Sequence, residues 1–109
     1  MTARTDPAKA AALMALRDEM PGNDAATQRE RLMAGLHLFP ISSFEGSRYM
    51  DVYHVAGRIK ELRDEGHAIE TYWVNAETEA GVIHRIGLYA LKRDALAEVA
   101  TEATAEGVA

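Results

Sequence analysis

The chain has no cysteine. Disulfides, thiolate zinc sites and a thiol nucleophile are therefore excluded. His37, His54, His67 and His84 share no metal-ligand spacing, such as two histidines separated by three residues on a helix, so no metal is expected. Asp51, Glu70 and the other carboxylates form no recognisable acid–base pair, and Gly46 and Gly57 lie in no phosphate-binding loop. No nucleophile elbow of the Gly-x-Ser-x-Gly kind is present. Neither an enzyme nor a bound cofactor is expected. The remaining polar groups recognise rather than react: Ser42, Ser43, Arg48, Tyr53, His54 and Lys60 crowd into one short stretch.

Four helices and a hairpin must position them. Residues 6–20 read as helix, with Asp6 as N-cap, Pro7 at the first position and Pro21-Gly22-Asn23 as the stop. Its apolar residues are mostly alanine, a shallow face suited to a partner helix of this chain or of a second copy. Asp24 opens a second helix, with Gln28 in a loose capping arrangement and a stripe of Ala26, Leu32, Met33 and Leu36. Phe39-Pro40-Ile41 stops it. Ser42 or Ser43 caps a short helix over 44–49, and Met50-Asp51-Val52 is a brief turn. The strongest helical signal is 53–65, with Val55, Ile59 and Leu62 on one face and Gly66 as C-terminal cap. From Gly66 the period becomes that of strands. Residues 68–74 and 82–91 form a hairpin, with 75–81 as its loop and Gly87 interrupting the second strand. Trp73, Tyr72, Tyr89 and Leu91 are expected to pack in the core or across strands.

A short helix, a tight turn and a strong helix, followed by a hairpin, is the plan of a DNA-reading helix-turn-helix with a wing. The run Val55-Ala56-Gly57-Arg58-Ile59-Lys60-Glu61-Leu62-Arg63-Asp64-Glu65-Gly66-His67-Ala68-Ile69-Glu70-Thr71 resembles the signature R-I-x-x-L-R-x-x-G-x-x-I-x-T. That signature belongs to the small winged helix-turn-helix domains of bacteriophages and prophages. Thr27-Gln28-Arg29 is similar to the family's opening, and Tyr89-Ala90-Leu91 to its Tyr-x-Leu. The resemblance spans 27–91. It implies a mainly α fold with a β-hairpin, a winged helix-turn-helix carrying an extra N-terminal helix. It also implies binding to double-stranded DNA by a phage or prophage regulator.

Counting about 100° per residue from Val55, the face opposite the core holds Tyr53, Gly57, Lys60 and Asp64, flanked by His54 and Glu61. Tyr53 and His54 lie at the leading end, where side chains reach base edges, and Gly57 permits close approach to the groove. Arg48 and Lys60 are candidates for phosphate contacts, joined by Ser42 and Ser43 with the helix-start amides. Arg58 and Arg63 match the signature but lie nearer the core, where pairing with carboxylates is at least as good a reading as DNA contact. The candidate interface is therefore Ser43, Arg48, Tyr53, His54, Gly57, Arg58, Lys60 and Glu61. Arg85 has two readings, a carboxylate partner or a phosphate contact. The wing loop carries Glu77 and Glu79 and no cation, so its tip should avoid the DNA backbone.

Twelve Lys and Arg stand against seventeen Asp and Glu, a net charge of −5. Affinity from bulk positive charge is thereby excluded. The excess is local: residues 28–93 hold nine of each sign, and Asp94, Glu98, Glu102 and Glu106 give the end of the chain a net of −4. The expected domains are an N-terminal helix for oligomerisation at 1–23, a DNA-binding domain at 24–93 and an acidic tail at 94–109. The tail reads as a solvated extension or as a brake on the basic face. No apolar run approaches the ~18 residues of a membrane span, and no signal-peptide pattern opens the chain. A homo-oligomer without a membrane partner is expected, in the cytoplasm or nucleoid of the host cell if phage-encoded. The acidic wing and tail also fit an alternative, a winged-helix protein-interaction module without DNA binding.

Overall fold

In the computed structural model, residues 4–92 are described, and the acidic tail lies outside them. Helix α1, Pro7–Glu19, starts as expected at Asp6 and Pro7. It buries Ala10 and Leu13 against its own chain, on α2 (Ala25–Leu36) and α3 (Ser43–Met50), while Ala8, Ala11 and Ala15 remain exposed. In α2 the Asp24 carboxylate caps the helix, accepting from Thr27 N at 3.1 Å and Thr27 Oγ1 at 2.7 Å. Those bonds hold its pKa below the usual carboxylate range. Leu32 and Leu36 are buried and Met33 half-buried, but Ala26 is exposed and drops out of the expected stripe. Gly35 is needed for close packing: a Cβ there would lie 2.6 Å from Ile41 Cδ1 and 2.7 Å from Met50 Cε.

Between α2 and α3 the chain forms β1, Ile41–Ser42, where the sequence predicts only a stop. Ser42, rather than Ser43, is the N-cap of α3. Its Oγ accepts from Glu45 N at 3.1 Å, and Ser42 N donates to Glu45 Oε1 at 2.9 Å. Glu45 also accepts from Thr5 Oγ1 at 2.8 Å and Lys9 Nζ at 3.0 Å, fastening α1 to α3. Burial works against its charge, but the Ser42, Thr5 and Lys9 donors outweigh burial and hold its pKa below the ordinary 4.5. With the folded pKa below the unfolded one, Glu45 stabilises fully above the unfolded value and loses that contribution as pH falls through the folded one. The melting temperatures of wild type and Glu45→Gln should therefore differ at neutral pH and converge on acidification. A gap that is constant with pH would show that the charge of Glu45 contributes nothing.

Helix α4 is Val55–Asp64 and buries Val55, Ile59 and Leu62 as expected. It begins later than the periodicity predicts, because His54 adopts a left-handed conformation (φ 53°) and ends the turn instead of joining the helix. At the other end Gly66 (φ 103°) lets its N–H reach Arg63 O and lets His67 N reach Leu62 O, closing a Schellman motif.

Strands β2 (Ile69–Glu77) and β3 (Ile83–Leu91) pair antiparallel, and β1 joins β3, giving a three-stranded sheet in the order β1-β3-β2. The wing is longer than expected: Asn75, Ala76 and Glu77 pair with Arg85, His84 and Ile83, leaving a tight turn from Thr78 to Gly81. Gly87 does not interrupt β3. It pairs with Trp73, and a Cβ there would lie 2.9 Å from Tyr89 Oη. Tyr89 and Leu91 are core residues as expected. Trp73 and Tyr72 are not; they are 61% and 46% exposed. Trp73 shares the face of Ile69 and Tyr89 but lies farther out along the hairpin, and Tyr72 lies on the other face, its hydroxyl donating to Glu70.

Candidate nucleic-acid interface

The turn from Asp51 to His54 sets how α4 leaves α3, and side chains of α2 hold it. Arg31 is buried to 1% exposure without a carboxylate partner. Its Nε donates to Met50 O at 2.6 Å and its Nη2 to Asp51 O at 2.8 Å, while Nη1 serves Met20 O at 2.7 Å and Gly22 O at 3.0 Å. Met20 caps α1, Met50 ends α3 and Asp51 caps it, so two helix C-termini present their partial negative charge to one guanidinium. Gln28 works beside it, donating from Nε2 to Asn23 O at 2.6 Å and accepting from Tyr53 N at 2.7 Å. Asp51 (φ 54°) and His54 (φ 53°) take left-handed conformations within this clamp.

The clamp leaves Tyr53 71% exposed, its ring edge-on to His54 with centroids 5.0 Å apart. These rings stand before α4, not on its first turn where the periodicity places them. Along the outward face Gly57 is bare. An added Cβ would meet only His54 Cβ at 3.7 Å, so packing does not require glycine there. Lys60 is exposed and pairs with Asp64 at 3.0 Å.

Arg58 and Glu61 are placed differently. Glu61 Oε1 lies 3.0 Å from Arg58 Nε and 3.2 Å from Arg29 Nη1, and Arg29 Nε is 3.2 Å from Glu65 Oε2. Arg58 Nε is buried, and it forms an ion pair with Glu61 without hydrogen-bond geometry. The network ties α4 to α2. Arg63 is likewise structural, donating to Ile69 O and to Thr71 Oγ1.

Ser43 is the half-buried first residue of α3. Arg48, from the same helix, points at the wing: its Nη2 pairs with Glu79 Oε1, and its guanidinium lies 5.5 Å from the Tyr49 ring centre. Arg4 pairs in the same way with Glu77 at 3.0 Å. The acidic wing thus engages two cations of its own chain. Arg85 has no carboxylate partner among the described residues; its guanidinium lies over the Trp73 ring, 5.1 Å from the ring centre. Sequence reasoning missed this exposed pair, whose one signal is the register that sets Gly87 opposite Trp73. Among the described residues no group of His, Asp or Glu side chains fits a metal ion, and no helix is long and apolar enough to cross a membrane.

A family model described as a winged helix-turn-helix domain matches residues 27–94, well over half of the chain. No curated protein and no solved structure matches.

Proposed function

We propose that this chain, which belongs to the winged helix-turn-helix domain family, is a sequence-specific regulator that reads double-stranded DNA with α4 in the major groove. The family points to DNA binding in general. The finer reading is a phage or prophage transcriptional regulator acting in the host-cell cytoplasm as more than one copy. The observation that carries it is the surface at the start of α4, where Tyr53 and His54 are exposed just before the helix and half-buried Gly57 and exposed Lys60 follow on its outward face. Tyr53 and His54 supply base-edge donors, and Lys60, Arg48 and Ser43 supply phosphate contacts. Arg58 and Glu61 act by fixing α4 against α2 instead of touching bases. Residues 28–93 hold nine charges of each sign, so affinity comes from placed contacts and repeated half-sites, not from a positive field.

Selection of bound duplexes from a random library at low salt tests this reading. The expected result is a short motif recurring as two half-sites about one or two helical turns apart. Absence of any enriched sequence would sink it. The Glu77 and Glu79 pairings favour a second reading, a winged-helix module that binds protein and not DNA. In that case neither specific nor non-specific duplex binding is expected.

A further inference from the structure

Strand β2 has one open side, and the hydrogen-bond parity of the hairpin decides which groups lie on it. Lys92 N donates to Ala68 O at 2.9 Å and Thr78 N to Val82 O at 2.8 Å, both in the register that pairs Ile69 with Leu91 and Glu77 with Ile83. Bonded and non-bonded pairs alternate in an antiparallel ladder. Glu70, Tyr72, Val74 and Ala76 therefore bond to β3, and the N–H and C=O groups of Ile69, Thr71, Trp73, Asn75 and Glu77 point away from it.

At the Ile69 end this edge is closed, because Arg63 Nε and Nη2 both donate to Ile69 O, at 3.0 and 2.7 Å. Beyond it the backbone edge is open: Arg63 Nη2 and Arg4 Nη2 reach the side chains of Thr71 and Glu77, but no described group bonds the outward N–H or C=O of Thr71, Trp73, Asn75 or Glu77. Soluble proteins guard such edges with lysine, proline or a bulge. The segment Thr71-Tyr72-Trp73-Val74-Asn75-Ala76-Glu77 has no lysine or proline, and its register with β3 is unbroken. Trp73 stands exposed at its centre.

We infer that this edge pairs antiparallel with β2 of a second copy, about a two-fold axis at Val74, making one continuous sheet across the dimer. The strand is complementary to itself in this register. Thr71 faces Glu77 of the second copy and Trp73 faces Asn75, so the four residues with free groups satisfy one another. Each pair exchanges both of its N–H···O bonds. No carboxylate faces a carboxylate, since Glu77 meets Thr71 and Glu70 lies beyond the seam. A register centred on Trp73 is worse, because it sets Glu77 against Ile69, whose carbonyl Arg63 already holds. The pairing is isologous, as a closed dimer requires. A seam of this length falls short of the ~1,000 Å² expected of a stable interface, so association is weak and concentration-dependent.

The test needs no DNA, so its failure leaves the DNA-binding reading standing. Sedimentation equilibrium from micromolar to near-millimolar protein should show a monomer–dimer equilibrium. Emission of Trp73, the single tryptophan, should shift to the blue as the dimer forms. Trp73→Lys sets charge into the seam, and Asn75→Pro removes an edge donor without touching the β2–β3 bonds. Each should weaken association at least about tenfold while the melting curve stays near wild type. A monomer at every concentration overturns the inference. So does a dimer that survives both substitutions; if that dimer then disappears in Ala11→Glu, the interface lies on the exposed alanine face of α1.

Discussion

Replacing Arg31 by methionine is expected to lower the melting temperature by on the order of 20 °C, at about 4–8 °C per kcal/mol for a domain of this size. The substitution keeps most of the side-chain volume but strips donors from Met20 O, Gly22 O, Met50 O and Asp51 O. Orphaning buried carbonyls at two helix C-termini, with loss of the charge that faces their dipoles, costs about 3–5 kcal/mol. Arg31→Lys should fall between the two, because an ammonium cannot fork toward four acceptors. Thermal unfolding followed by circular dichroism measures both. A methionine variant melting within a few degrees of wild type would mean that water replaces the guanidinium and that the clamp is not what fixes the turn.

The second large effect is on DNA binding. The pair Arg48→Ala with Lys60→Ala should weaken duplex binding by roughly 100-fold, about tenfold for each 1.4 kcal/mol of phosphate attraction removed. With about four phosphates neutralised per protomer, the slope of log K against log salt is near −3.6, and removing two cations moves it to about −1.8. The melting curve should not change, since both side chains are mainly exposed. Each cation already faces a carboxylate, Arg48 with Glu79 and Lys60 with Asp64. Binding therefore exchanges a carboxylate for a phosphate, and Glu79→Gln should tighten binding several-fold where Arg48→Ala loosens it. Unchanged affinity and slope in the double variant would move the interface off this face and favour the protein-binding reading.

Where the sequence reads well, the cause of the structure is local. Pro7, Asp24 and Gly66 act within a turn of the chain through capping and backbone conformation, so their types suffice to place helix ends. Val55, Ile59 and Leu62 repeat at the helical period and are buried for that reason. The candidate interface is legible to the same extent: the face opposite that stripe holds Gly57 and Lys60, and the periodicity alone puts them together. The errors lie where a distant partner decides. Strand β1 is two residues long and has no period to detect; it exists because β3 is there to pair with. His54 leaves the helix because the turn it closes is held by Arg31 and Gln28 from α2. Arg31 itself carries no pattern. Its role follows from the meeting of two helix C-termini that are far apart in the chain.

Trp73 shows the same division. Alternation and aromatic content assign it to a strand, and it lies in one. It shares a face with the core residues Ile69, Tyr89 and Leu91, and what exposes it is its distance along the hairpin, which pairing at Asn75, Ala76 and Glu77 carries well out. The acidic wing follows the rule as well: its charge is written in Glu77 and Glu79, but their attachment to Arg4 and Arg48 is not. By itself the sequence determined the order of helices, turn and hairpin, the buried stripe of α4 and the sign of each surface, because capping, periodicity and charge act over a few residues. The tertiary structure alone decided where α4 begins, which cations are engaged and which strand edge is open, because those outcomes depend on groups brought together across the fold.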